Sequence, residues 1–257
     1  MPTDDELVSF FLRHLVPVLF TFQRGADSQS IVVTAFVLSV ANQWFLITAG
    51  HCIHDIEERT TEHGYQITGC YMIDSLGVGA KHREPIPFVY RDSSPTYLSE
   101  DQDFDYGVMV LSPYYQQLLE KNNIQALNEE AWKKQPAKVD FYWLLGIPEE
   151  LTRVNPENIE ITPTLHKVEP LSERPDKFPA TDVPLFYGRI GLGEGVTTIK
   201  GMSGGPIFAF HKNEKGQLKY WLTALQSRWL PESHIIAAYP TKLLGDFLEQ
   251  IGYQESQ

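Results

Sequence analysis

The sequence predicts an all-β fold in two halves, with a helical linker between them and a helix at the C-terminal end. Three observations carry this. Short β-rich runs recur along the chain, about six of them in the first ~112 residues, at the spacing of a barrel or sandwich. A stretch rich in helix formers without internal Gly or Pro, Pro113–Lys134, then separates them from a second set of runs. Last, Leu243, Leu244, Phe247, Leu248 and Ile251 recur at helical spacing within Thr241–Ile251. The expected organisation is a first β unit over residues 1–112, a helical linker over 113–135, and a second β unit with the closing helix over 136–257.

The chain opens on acids, and Arg13 and His14 interrupt its first apolar run. A short amphipathic helix is expected there, not a signal peptide or a membrane span. Val16–Phe22 and Ile31–Val40 read as strands separated by the turn-like Gln23–Ser28. Trp44–Thr48 is a third strand, followed by a polar stretch, Asp55–His63, that suits a short helix or loop. Tyr65–Ile73, Pro87–Tyr90 and Tyr106–Leu111 complete the first set. In the linker, Leu118, Leu119, Ile124, Leu127 and Trp132 form an imperfect apolar stripe, as a helix packed on the core would. Val139–Leu145, Ile159–Val168, Phe186–Ile190, Ile207–Phe210, Trp221–Leu225 and Ile235–Ala238 are the second set. Glu169–Pro184 carries four prolines and reads as an irregular surface loop, and His211–Gly216 as a hairpin tip.

Composition narrows the function. The 257 residues are 42% hydrophobic, enough for a sizeable core. Lys and Arg number 21 against 33 Asp and Glu, a net charge of −12, so a phosphate-binding surface is not expected and nucleic acid is excluded as a partner. There are two cysteines, Cys52 and Cys70, and no export signal is read. Free thiols in a reducing cytoplasm are expected.

The chemistry centres on Lys200-Gly201-Met202-Ser203-Gly204-Gly205-Pro206. Glycines around a serine permit positive φ and close approach of a ligand. The N–H groups of Gly201 and Ser203 can then converge on one oxygen beside the Ser203 hydroxyl, which is what acyl transfer needs. A serine requires a general base, and of eight histidines His51 has the most informative setting, at the end of Phe45–Thr48 and after Ala49-Gly50. His54 lies close, but no matching Cys/His pair stands elsewhere, so no metal site and no cofactor are expected. A carboxylate must orient the histidine. Asp105 abuts the apolar run Tyr106–Leu111; Asp103 shares its face by strand alternation, so spacing alone does not choose between them. Adjacency to the buried strand favours Asp105.

Thr48-Ala49-Gly50-His51-Cys52, Asp105-Tyr106-Gly107-Val108-Met109 and Gly201-Met202-Ser203-Gly204-Gly205-Pro206 together resemble the chymotrypsin-like serine peptidases, in that family's order of His, Asp, Ser. The resemblance implies two six-stranded antiparallel β-barrels with the site between them: His51, Asp105 and Ser203 catalytic, and the Gly201 and Ser203 amides as oxyanion hole. It implies a protein or peptide substrate. It also implies pocket walls at Thr197–Lys200, Gln226–Arg228 and Ala237–Tyr239, with Thr197, Thr198, Lys200, Gln226, Ser227 and Arg228 as substrate-binding residues. No acid stands at Thr197, against an Arg or Lys preference; a small or apolar preference is expected. Digestive members carry an acid before the serine that pairs with a new N-terminus; here Met202 stands there, so activation by N-terminal cleavage is not expected. Cys52 has no upstream cysteine to pair with, as in the disulfide-free bacterial and intracellular branch that includes Deg-type peptidases. Restraint is expected from narrow specificity, a lid such as Leu171–Pro184, or a regulatory protein partner. The alternative is a latent or inactive peptidase-fold protein that holds a peptide without cutting it.

Overall fold

Apolar residues on both faces of a strand demand cover on both sides, and the middle strands of the N-terminal half show this pattern. The computed structural model describes residues 4–93, 96–98, 104–134, 136–155, 158–193 and 195–254. Helix α1 (Asp4–Phe11) leads into β1 (Val18–Arg24), β2 (Asp27–Val33), β3 (Phe36–Val40) and β4 (Gln43–Thr48). Helix α2 (Gly50–Thr61) follows, then β5 (Gln66–Met72), β6 (Ile86–Pro87), β7 (Thr96–Leu98) and β8 (Tyr106–Leu111). These strands form two four-stranded sheets, ordered β2-β1-β5-β6 and β3-β4-β8-β7. Trp44 and Leu46 of β4 share a core with Phe20 and Phe22 of β1. Phe45 and Ile47, one position out of phase, share another with Phe208 and Tyr239 of the second half.

This half departs from expectation. The six-stranded barrel expected here is instead a pair of sheets. The single run expected over Ile31–Val40 is two strands in different sheets, parted at Thr34-Ala35. Thr34 is buried and its hydroxyl and carbonyl bond outside any ladder, so the chain leaves one sheet at that residue and joins the other.

The linker is also corrected. It is two short helices, α3 (Pro113–Lys121) and α4 (Glu129–Trp132), not one helix over 113–135. Pro113 sits at the start of α3, where its missing N–H costs nothing. Asn123 takes φ 66° after its end. Between the helices Leu127 pairs with the edge of β3: its N–H reaches the Val37 carbonyl at 2.8 Å, and its carbonyl accepts from Ser39 N–H at 2.9 Å. The edge is thereby covered. Trp132 is fully buried and donates from Nε1 to the Ser39 carbonyl at 3.2 Å.

The second half closes as expected. Strands β9 (Phe141–Gly146), β12 (Thr164–Pro170), β13 (Phe186–Ile190), β14 (Pro206–Lys212), β15 (Leu218–Leu230) and β16 (Ile235–Pro240) form one barrel, ordered β12-β13-β16-β15-β14-β9. Leu144, Val168, Ile207, Ile236 and Ala238 pack together within it. A separate hairpin, β10 (Thr152–Asn155) with β11 (Asn158–Ile161), is inserted between β9 and β12; its first strand was not expected. Helix α5 (Thr241–Gln254) ends the described chain. Gly245 is required there, because a Cβ would lie 2.0 Å from the Trp132 ring. Among the described residues, no helix is long and apolar enough to cross a membrane.

Candidate active site

His51 lies in the first turn of α2, not at the strand end where the sequence places it. Helix N-termini leave N–H groups without intrahelical partners, and Ala49 at the cap position supplies no side-chain acceptor. Asp105 supplies one from β8's threshold. Its Oδ1 accepts the His51 N–H at 2.7 Å, and its Oδ2 accepts from His51 Nδ1 at 2.8 Å. One carboxylate thus caps the helix and fixes the ring. Gly107 permits this approach: a Cβ there would lie 2.6 Å from Ile53 and 2.9 Å from the Ala49 carbonyl. Asp103, the competing acid, lies outside the described residues.

Asp105 is fully buried. Burial raises its pKa, but the hydrogen bond with His51, the imidazole's charge and the Ser227 hydroxyl more than offset that, and the net direction is down. For His51, burial lowers the pKa, while hydrogen bonds with Asp105 and Cys52 raise it further than burial depresses it. The imidazole therefore binds a proton more tightly than a free histidine, because the ion pair with a buried carboxylate is worth more than the lost hydration.

Ser203 arrives from the closed barrel on a turn between two glycines of positive φ, Gly201 at 91° and Gly204 at 90°. The Gly204 N–H donates to the Gln226 carbonyl at 2.8 Å, and the Gln226 N–H to the Gly205 carbonyl at 2.9 Å, so β15 holds the turn. Gly204 also seats the turn on the first half. A Cβ there would fall 2.3 Å from Thr48 Oγ1, 2.5 Å from the Thr34 carbonyl and 2.8 Å from Ala49 N. That seat lies two residues before His51. His51, Cys52, Gly201 and Ser203 all line one cleft of about 1750 Å³. The Ser203 hydroxyl donates to the Ser227 carbonyl at 3.4 Å. Among the described residues, the Gly201 and Ser203 N–H groups have no protein partner.

The loop before Ser203 is held by residues the sequence did not single out. Thr34 Oγ1 donates to the Gly201 carbonyl at 2.7 Å and accepts from Ile147 N at 3.1 Å. The Glu149 N–H donates to the Lys200 carbonyl at 2.7 Å. The Glu150 carboxylate accepts from Thr197 N and Thr197 Oγ1, both at 2.7 Å, and from Thr198 N at 3.1 Å. Met202 is fully buried against Gly146, where a Cβ would lie 2.9 Å from its Cε.

The residues expected to bind substrate stand around this loop. Of Thr197, Thr198, Lys200, Gln226, Ser227 and Arg228, only Lys200 lines the cleft beside Ser203, and it pairs with Glu149 at 2.9 Å. Glu150 takes both donors of Thr197 and the backbone N–H of Thr198, whose hydroxyl accepts from Lys200 N at 3.1 Å. Gln226 is buried and bonded through its backbone to the turn that carries Ser203. Ser227, also buried, gives its hydroxyl to Asp105 Oδ2. The family resemblance pointed to Ser227 but not to its partner, since nothing local in the sequence joins residues 105 and 227.

No family model and no curated protein matches the sequence. Solved structures do resemble it. The scabies mite inactivated protease paralogue S-I1 aligns over 99% of this chain and 98% of its own, with a TM-score of 0.57 and 16% identity. The thermostable serine protease AL20 from an extremophilic microorganism aligns over 88% and 90%, with a TM-score of 0.46 and 16% identity. Deg5 aligns over 95% and 93%, with a TM-score of 0.46 and 14% identity. At such identities the likeness speaks to fold. The chain is built on the chymotrypsin-like fold, and it resembles the serine peptidases that share it.

Proposed function

We propose that this protein is a serine endopeptidase. The observation that carries the reading is the pair of hydrogen bonds by which one buried carboxylate holds the backbone and ring of His51, in a cleft that Ser203 enters from the other half. In this reading Ser203 Oγ attacks the scissile carbonyl, and its proton passes to His51. The tetrahedral oxyanion rests on the Gly201 and Ser203 N–H groups. His51 then gives its proton to the leaving amine, and water hydrolyses the acyl-enzyme by the same path reversed. Asp105 keeps the His51 tautomer with Nε2 toward the serine and stabilises the imidazolium. Met202 supports activity without N-terminal cleavage. It occupies an apolar site beside Ile199 and Ile207, where a new ammonium and its acid would be poorly solvated.

A latent form is the second reading, favoured by one observation: the Ser203 hydroxyl is turned to the Ser227 carbonyl. A fluorophosphonate probe separates the two. Covalent labelling of Ser203, lost in Ser203→Ala, is the expected result, with peptide cleavage abolished in that variant while its Tm stays within about 2 °C. An unlabelled protein with a normal Tm would establish the latent reading.

A further inference from the structure

The cleft that holds His51 and Ser203 runs on past them to one side. Among the described residues, its lining comes from the first half, from residues 149–161 and from Lys200, Gly201 and Ser203; the closed barrel beyond Ser203 contributes nothing to it. The outward face of the first sheet forms one wall: Thr21 lies opposite Ser30, and Leu19 lies between Val32 and Tyr71. The inserted hairpin forms another, through the paired positions Thr152 with Ile161 and Val154 with Ile159. Helix α2 continues the wall beyond His51 with Asp55, Ile56 and Arg59.

The direction of this trench has a chemical meaning. His51 must hand its proton to the leaving amine. The polypeptide that begins with that amine therefore departs along the His51 side, where α2 extends. The trench is thus in line with the substrate segment that follows the cleaved bond.

Its chemistry selects a kind of segment. The sheet wall is aliphatic, hydroxylic or aromatic and carries no charge at Leu19, Thr21, Ser30, Val32 or Tyr71. The ionisable lining is balanced, Arg59, Arg83 and Lys200 against Asp55, Glu84 and Glu149. Strand β2 is the outer strand of its sheet, so its free backbone groups can pair with an added strand. By contrast, of the side chains expected to read the residue before the bond, Thr197 is bonded to Glu150, Lys200 to Glu149 and Ser227 to Asp105.

We propose that this protein selects substrates chiefly by an extended, uncharged segment on the C-terminal side of the cleaved bond, bound between the β2-β1-β5 face and the β10–β11 hairpin. The inference rests on the peptidase reading for its orientation.

A proteome-derived peptide library cleaved by the full chain tests it, with Ser30→Arg as the variant. Ser30 is exposed and its side chain makes no contact with the catalytic groups. Residue preferences should be stronger over the positions after the bond than before it. Peptides extended by six residues past the bond should be cleaved at least tenfold faster, in kcat/KM, than the same sequence ending in a fluorogenic amide. Ser30→Arg should erase that gain while leaving amide hydrolysis, fluorophosphonate labelling and Tm unchanged. Preferences confined to the residues before the bond, or equal loss on both substrates, would overturn the inference. If Ser203 neither labels nor cleaves, the peptidase reading fails instead. The trench is then judged by hydrogen exchange of the Ser203→Ala protein with unstructured casein: slowed exchange at β2 and β10 sustains a peptide-binding trench, and unchanged exchange removes it.

Discussion

The two halves of the molecule solve the same problem differently. The second closes its six strands into a barrel, so every strand has a neighbour on both sides. The first leaves two sheets with outer strands, covering the β3 edge with Leu127 of the linker and leaving β2 at the trench. Closure suits a half that must present Ser203 on a turn with two positive-φ glycines, because a barrel fixes both ends of that turn. Openness leaves a long face of the first sheet lining the cleft. His51 and Asp105 sit in the open half, yet they are not loose. Asp105 caps a helix and orients a ring at once, and it is itself held by Ser227 from the closed half. Rigidity at the site comes from bonds that cross between the halves more than from either alone.

That contrast can be broken deliberately. Asp105→Asn should have the largest effect, about 10⁴-fold in kcat, because an amide cannot hold the Nδ1–H tautomer or balance the imidazolium; steady-state rates on an extended peptide check it. Gly204→Ala attacks the seat between the halves. Its Cβ meets the Thr34 carbonyl and Ala49 N, so the serine must shift, and a displacement near 1 Å costs roughly 10²-fold in kcat. A barrel core that stays folded by near-UV circular dichroism, with that loss, would locate the damage at the seam.

Glu150→Gln is milder. A neutral acceptor forms weaker bonds to Thr197 and Thr198, and the oxyanion loop loosens. A fall of about threefold to tenfold in kcat with KM unchanged is expected, and a change in KM alone would assign Glu150 to substrate binding.

The smallest effect is a displacement on the pH axis. His51 must be neutral to act as base, and its pKa is raised, so kcat/KM should climb with pH along a limb whose midpoint lies above 6.5. A midpoint at or below 6.5 would mean that burial outweighs the hydrogen bonds that raise the His51 pKa.

Much of this was legible in the residues. Strands Tyr106–Leu111 and Phe186–Ile190 coincide with their apolar runs, because both are bounded by residues outside any ladder and covered on at least one face. The short motifs around residues 51, 105 and 203 are local, so their spacing survives without knowledge of the fold. Ile31–Val40 misled because alternation persists through a bend; nothing in Val33-Thr34-Ala35-Phe36 announces a change of sheet. The linker misled because helix propensity in Gln125–Leu127 yields to the hydrogen bonds that β3's edge offers. Met202 was read only as a missing ion pair; its burial against Gly146 is a property of the barrel.

What the sequence determined by itself is therefore the set of chemical groups and the two-part β architecture. Both are written in short-range signals: glycines that permit positive φ, alternation that sorts faces, and a serine, an imidazole and a carboxylate of matching chemistry. Tertiary structure alone decided that Thr34 holds the Gly201 carbonyl, that Glu150 and Ser227 serve the site from within, and that a trench runs beside α2. Each of these joins residues far apart in the chain, and such contacts exist only once the chain has folded.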